Sequence, residues 1–276
     1  MSAVPSSPTP ERPDGPAGAF VAVRMRLGLV LLLLALAAAG WWWTARQMAG
    51  MDNGPWTALG SSSWFVAVWT VMMAAMMFPS VAPTVALYAR MTRTKSPAAP
   101  LAFTAGYLLV WVAAGVGALA VAAAVGAWGG EALAWDRAGR PLTVVTLLAA
   151  AVYELTPLKE VCLGKCRSPL GFLLSTWRDG WRGGLRMGSR HGAWCVGCCW
   201  ALMAALFALG VMSVLWMALV AGLIAIEKTL PWRRTATYST AALLAVLAVL
   251  VLAAPDAVPG LTEPGPGPMS PTMSTH

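Results

Sequence analysis

All five cysteines of this chain fall between residues 162 and 199, and the only internal histidine lies among them. In HGAWCVGCCW, His191, Cys195, Cys198 and Cys199 stand at offsets of 0, 4, 7 and 8. If this segment is helical, the four share one face. An imidazole with two or three thiolates holds soft or borderline metals: copper(I), zinc, or iron with sulfide. The spacing is not a zinc-finger pattern. Just upstream, Cys162 and Cys166 in CLGKC either face one side of a helical turn or are pinched together at Gly164. Either arrangement could complete a site with the second cluster. A third soft-ligand group is WTVMMAAMMFPSVAP, where Met72 and Met76 share one helix face and Met73 and Met77 the adjacent one. Thioethers select copper(I) over harder ions. Cysteine and methionine also serve as soft packing residues. Three thiols within five residues, four residues after a histidine, point beyond packing.

Glu154 and Glu227 sit near the ends of apolar segments, where a buried acid is costly. Pairing with Lys159 and Lys228 satisfies them, and Glu154 is also a candidate proton or metal partner. The chain closes on Met269, Met273 and His276 in a Pro/Gly-rich stretch expected to be a disordered tail. Gly192 and Gly197 are expected to weaken the helix around the second cluster. A start near Ala193 would put its thiols at the positive end of the helix dipole.

The elements that must position these residues are apolar. The 276 residues are 58% hydrophobic and 11% charged, with a mean hydropathy of +0.68. A water-soluble domain carries about 25% charged residues. Runs near 20 apolar residues recur, the length that spans about 30 Å of hydrocarbon. The expected fold class is an all-α polytopic membrane bundle of about seven helices, at residues 27–43, 64–88, 101–125, 141–156, 193–209, 212–230 and 238–254. Residues 21–254 form the single transmembrane domain, between disordered tails at 1–20 and 255–276. Trp41, Trp42 and Trp43 after the first run favour an uncleaved helix over a signal peptide. Pro79 and Pro83 predict a kink or break in the second helix. The 34 residues from Ala193 to Ile226 would make one helix of about 51 Å, so they are divided near Gly210–Ser213.

Charge tests the helix count. With the N-terminus inside, 16 of the 19 Lys and Arg fall in inside segments. That bias predicts N-in, C-out. It places the cysteines at the cytoplasmic face of the inner membrane, where thiols stay reduced and structural disulfides are disfavoured. It also accounts for the net charge of +8 without nucleic acid, for which no recognition surface is visible.

The runs AMMFPSVAP, TPLKEVCLGKCRSP, HGAWCVGCCWALM and GVMSVLWM, with Glu227 and Lys228, resemble an uncharacterised bacterial family described as predicted metal-binding integral membrane proteins. The similarity covers about residues 64–232. By resemblance, the metal-binding label passes to His191, Cys195, Cys198, Cys199, Cys162 and Cys166. No phosphate loop, nucleophile elbow, zincin helix or dinucleotide fingerprint indicates an enzyme, and no catalytic residue is assigned. The expectation is soft-metal transport or delivery, with copper(I) the leading ion and zinc or iron the alternatives. Its partners would be the lipid bilayer and a metal chaperone or membrane cuproenzyme. A thiol–disulfide or quinone-linked redox protein and a non-catalytic assembly subunit are the rival readings.

Overall fold

A computed structural model describes residues 16–48, 61–92, 96–129, 139–210, 213–230, 232–255 and 258. The described residues form nine α-helices and no strand: α1 (Pro16–Met48), α2 (Ser62–Thr92), α3 (Ala99–Gly129), α4 (Arg140–Glu154), α5 (Pro157–Arg167), α6 (Pro169–Thr176), α7 (Gly180–Leu209), α8 (Val214–Thr229) and α9 (Arg233–Ala253). Five of them (α1, α2, α3, α7 and α9) are long and apolar enough to cross a membrane. The bent pair α4–α5 makes a sixth if it counts as one span. At 16 residues, α8 reaches about 24 Å.

Several boundaries differ from those read in the sequence. The stretch 158–192, expected as a connection, is helical: α5, α6 and the first part of α7 fill most of it. α7 therefore starts at Gly180 rather than Ala193, and runs unbroken through Gly188, Gly192 and Gly197. These glycines do not loosen the helix because a neighbouring helix packs on them. Of the kink or break expected in α2, the break does not occur: α2 continues as one helix through Pro79 and Pro83. Packing on several sides holds it together. α1 begins at Pro16, so residues 16–20 are helical rather than part of a disordered tail. A proline suits the first helical turn, where its missing N–H is not needed. Residues 1–15 and most of the C-terminal stretch, with Met269, Met273 and His276, lie outside the described residues. The division after α7 holds: Gly210 adopts φ 114°, a conformation that strongly favours glycine.

The most extensive contact pairs α3 with α7. Gly184, Gly188 and Gly192 form a stripe at every fourth residue of α7. A Cβ at Gly188 would collide with the Phe103 carbonyl, and one at Gly184 would stand 2.5 Å from the Ala99 carbonyl oxygen. Small residues at this spacing let two helix backbones approach closely. Residue numbers rise together along the two helices, so they are parallel. A return pass between them is required, and α4 supplies it. Its N-terminal end lies beside the C-terminal end of α7, where Thr143 Oγ1 donates to Ala208 O at 3.2 Å. Arg140, also at that end, donates through Nε to Val251 O at 3.0 Å and so caps the end of α9.

α4 and α5 meet at 66°. The Thr156 hydroxyl donates to Tyr153 O at 2.7 Å and accepts from Lys159 N at 3.3 Å, ending one helix and capping the next. Pro157 then fixes the first turn of α5, as its position in the sequence suggests.

The Gly188 contact predicts a specific lesion. Gly188→Leu should separate α3 from α7, at a cost of about 1–3 kcal/mol or more. Gly117→Leu should be tolerated, because nothing lies within 4 Å of a Cβ there. Thermal unfolding of the two variants in detergent checks the difference.

Candidate metal centre

The Sγ atoms of Cys166, Cys195 and Cys198 lie within 4.8 Å of one another. Cys166 comes from the last turn of α5, and Cys195 and Cys198 from the middle of α7. Cys166 Sγ and Cys198 Sγ are 3.8 Å apart. Cys195 and Cys198 are 1% and 2% exposed. Cys166 is half-buried. Two separate helices thus bring three sulfurs together, a donor set suited to a soft cation in low coordination.

The position of the trio corrects one expectation. Cys195 is fifteen residues into α7, about 22 Å from its start. The helix dipole acts within the first turn and does not reach it. A different positive charge does. Lys228, near the end of α8, places Nζ 3.0 Å from Cys195 Sγ. The Tyr107 hydroxyl of α3 lies 3.0 Å from the same sulfur. Tyr153 OH donates to Gly197 O at 2.5 Å and holds α4 against this turn of α7. The sequence reading missed Tyr107, Tyr153 and Lys228 as neighbours of the sulfurs. The available signal was a lysine within an apolar helix, which the charge distribution explained too easily as topology.

The other expected ligands are not among these three sulfurs. His191 is buried among the rings of Phe103, Tyr107 and Phe172, with centroids 5.8, 6.0 and 4.8 Å away. Its Nδ1 has no hydrogen-bond partner. It does share the α7 face with the cysteines, as the spacing indicated. Cys162 faces Gly197, where a Cβ would come within 2.9 Å of its sulfur. Cys199 Sγ bonds to Cys195 O at 2.9 Å, a helix-internal contact of the kind Cys198 also makes at 3.1 Å.

Met72, Met73, Met76 and Met77 are all buried in the core. Two rungs fix the level of this segment against α7. At one, Trp69 stacks on Phe207 with centroids 5.5 Å apart. At the other, Lys228 Nζ reaches Ser80 Oγ at 3.3 Å while touching Cys195, and Ser80 Oγ donates to Met77 O at 2.8 Å. Numbers rise along α2 as they fall along α7, so the two helices are antiparallel. Along α2 the four methionines fall between the residues of these two rungs, on a helix that packs mainly against α1, α3, α6 and α8. Trp216 and Met217 of α8 are buried in the same core.

The two acids share one lysine. Lys159 Nζ donates to Glu154 Oε2, as the sequence suggested, and to Glu227 Oε2 at 2.7 Å. Glu227 is not paired with its neighbour Lys228, which faces the sulfurs instead.

Residues 66–251 match the PpoB2 family, described as a copper chaperone. The chain belongs to this family. No curated protein and no solved structure matches it. The matched range runs from α2 to the end of α9 and contains every residue of the sulfur site. It extends past the similarity read from motifs and leaves out α1. A metal-related family is therefore established, and copper is the metal its description names.

The sulfur geometry predicts which cysteines react together. Mild oxidation of the purified metal-free protein should join Cys166 to Cys198 and leave Cys162 unpaired. Peptide mapping after alkylation checks the pairing, and a disulfide to Cys162 would contradict this arrangement.

Proposed function

We propose that this chain is a membrane-embedded protein that binds copper(I) as cargo and hands it on. The observation that carries the reading is the Cys166–Cys195–Cys198 trio, held between α5 and α7 with Cys195 and Cys198 buried and Cys166 half-buried, in a member of a copper chaperone family. Thiolates prefer monovalent copper, and few donors suffice for it. The membrane setting is supported by five helices of spanning length and by the apolar outer surface of the bundle, including Leu31, Leu109, Val121 and Val249. With α4–α5 and α8 as shorter passes, the order of the helices agrees with seven crossings, N-in and C-out. On that topology, α3 and α7 run outward in parallel.

The proposed transfer route uses the side chains already in register. Met72, Met73, Met76 and Met77 offer thioethers on α2, and the thiols of Cys195, Cys198 and Cys166 offer stronger donors on α7 and α5. An ion moving by ligand exchange would pass from neutral to anionic sulfur along this line, with Lys228 compensating charge at Cys195. The sequence reading put the cluster at the cytoplasmic face. On the present reading it stands within the bilayer, because Cys198 is eleven residues, about 17 Å, from the outward end of α7. The partner is a protein that delivers or accepts copper(I) by thiol exchange at the inner face.

Elemental analysis of the detergent-purified protein under reducing conditions tests this directly. The expected outcome is about one copper per chain, lost in Cys195→Ser and Cys198→Ser and weakened in Cys166→Ser. Cys162→Ser and His191→Ala should retain it. Lys228→Gln should weaken affinity by roughly tenfold, as losses of outer-shell partners do. Stoichiometric copper in Cys195→Ser, or none in the wild type, would overturn the proposal.

A further inference from the structure

A second buried polar cluster lies at the α4–α5 bend, formed by Glu154 of α4, Lys159 of α5 and Glu227 of α8. All three residues are 1–2% exposed. The ammonium of Lys159 donates to Oε2 of both carboxyl groups, and is the only cation bonded to either in the described residues. The second oxygen of each, Glu154 Oε1 and Glu227 Oε1, is buried with no partner. Because both Oε2 atoms contact the same ammonium, the two carboxyl groups are close neighbours.

The surrounding charges do not resolve this. Arg167 directs its guanidinium to the backbone carbonyls of Glu227 (2.7 Å) and Leu230. Lys228 turns to Ser80 and Cys195. Glu160 and Lys165 are on the exposed side of α5. Arg190 is the nearest charge in sequence to the sulfur-bearing turns of α7, and it is exposed. On the start of α9, Arg234 is exposed as well. With both acids ionised, the cluster would carry one uncompensated negative charge away from water, which is costly. Two carboxyl groups that face each other can form a hydrogen bond only if one of them is protonated.

We propose that Glu154, Lys159 and Glu227 form a proton-binding site that holds one proton between the two carboxyl groups. The protonated carboxyl donates to the other, and both keep their second contact to the ammonium. The cluster is then neutral. Two acids competing for one proton behave as a pair, as in other carboxyl dyads. A metal cation is a poorer occupant because the lysine already stands at the centre of the acids. The site is separate from the sulfurs, yet α5 carries both Lys159 and Cys166, seven residues apart and on one face. Gain or loss of the proton therefore acts on the helix that presents Cys166.

Infrared spectra of the full-length, metal-free protein in detergent test this without copper. At neutral pH the wild type should show the carbonyl stretch of a protonated carboxyl group. The band should vanish in Glu154→Gln and in Glu227→Gln, because the remaining carboxylate then pairs with Lys159. Each single variant should unfold at close to the wild-type temperature. The double variant leaves Lys159 without a counter-ion and should lose folded yield, and adding Lys159→Met should restore it. Absence of the band in the wild type, or its persistence in both single variants, would overturn the proposal. Stabilisation by sodium over choline at equal ionic strength, again without the band, would also overturn it and assign an alkali cation instead. Copper content enters neither readout.

Discussion

The close approach of α3 to α7 is the constraint on which the rest of the structure depends. It exists because Gly184, Gly188 and Gly192 present backbone where other residues would present side chains. Ala99, Phe103 and Tyr107 of α3 fall at the same four-residue spacing and seat against that stripe. The register follows, and it decides the chemistry. Tyr107 arrives beside Cys195, and Phe103 and Tyr107 enclose the His191 ring. With α3 and α7 parallel, α4 must return between them, and its bend into α5 swings Cys166 toward Cys198. The sulfur trio is thus a consequence of a helix contact made mostly of glycine.

Charge inside this apolar bundle is organised around two lysines rather than dispersed. Lys159 is surrounded by carboxyl groups and Lys228 by a sulfur, a phenol hydroxyl and a serine. Glu227 and Lys228 are adjacent in sequence yet serve different clusters, since successive helical residues point about 100° apart. The end of α8 therefore joins two sites that share no ligand. It also explains why the simple pairing of neighbours fails here. A Glu227–Lys228 bond would leave Cys195 without its cation and Lys159 with one acid fewer.

The sequence carried much of the fold and part of the site. Run lengths marked the helices, Gly210 marked the end of one, and the offsets of His191 and the cysteines marked the buried face of α7. Those features are local, so spacing reveals them. The start of α7 was hidden because Arg182, Arg186 and Arg190 make its first turns polar and imitate a loop. The same glycines that build the α3 contact looked like helix breakers, since their partner is eighty residues away. His191 shares the cysteine face, as its spacing indicated. That its ring lies among aromatic neighbours is a tertiary fact, which no spacing could show. Choosing Cys166 over Cys162 required the α4–α5 bend, a tertiary fact.

The question of whether the methionine helix belongs with the thiols turns on register. Trp69 against Phe207 and Ser80 against Cys195, through Lys228, are separated by eleven residues on α2 and twelve on α7. At about 1.5 Å per residue the two intervals are nearly equal in length, so the helices stay level between the rungs. Met72, Met73, Met76 and Met77 fall within that interval on α2, which packs mainly on α1, α3, α6 and α8. Packing alone explains why these residues are apolar. It does not require four thioethers, because leucine fills such space with better-defined rotamers. On the proposed function, soft, neutral donors on α2 and the thiol trio on α5 and α7 would let the ion pass from weaker to stronger ligands.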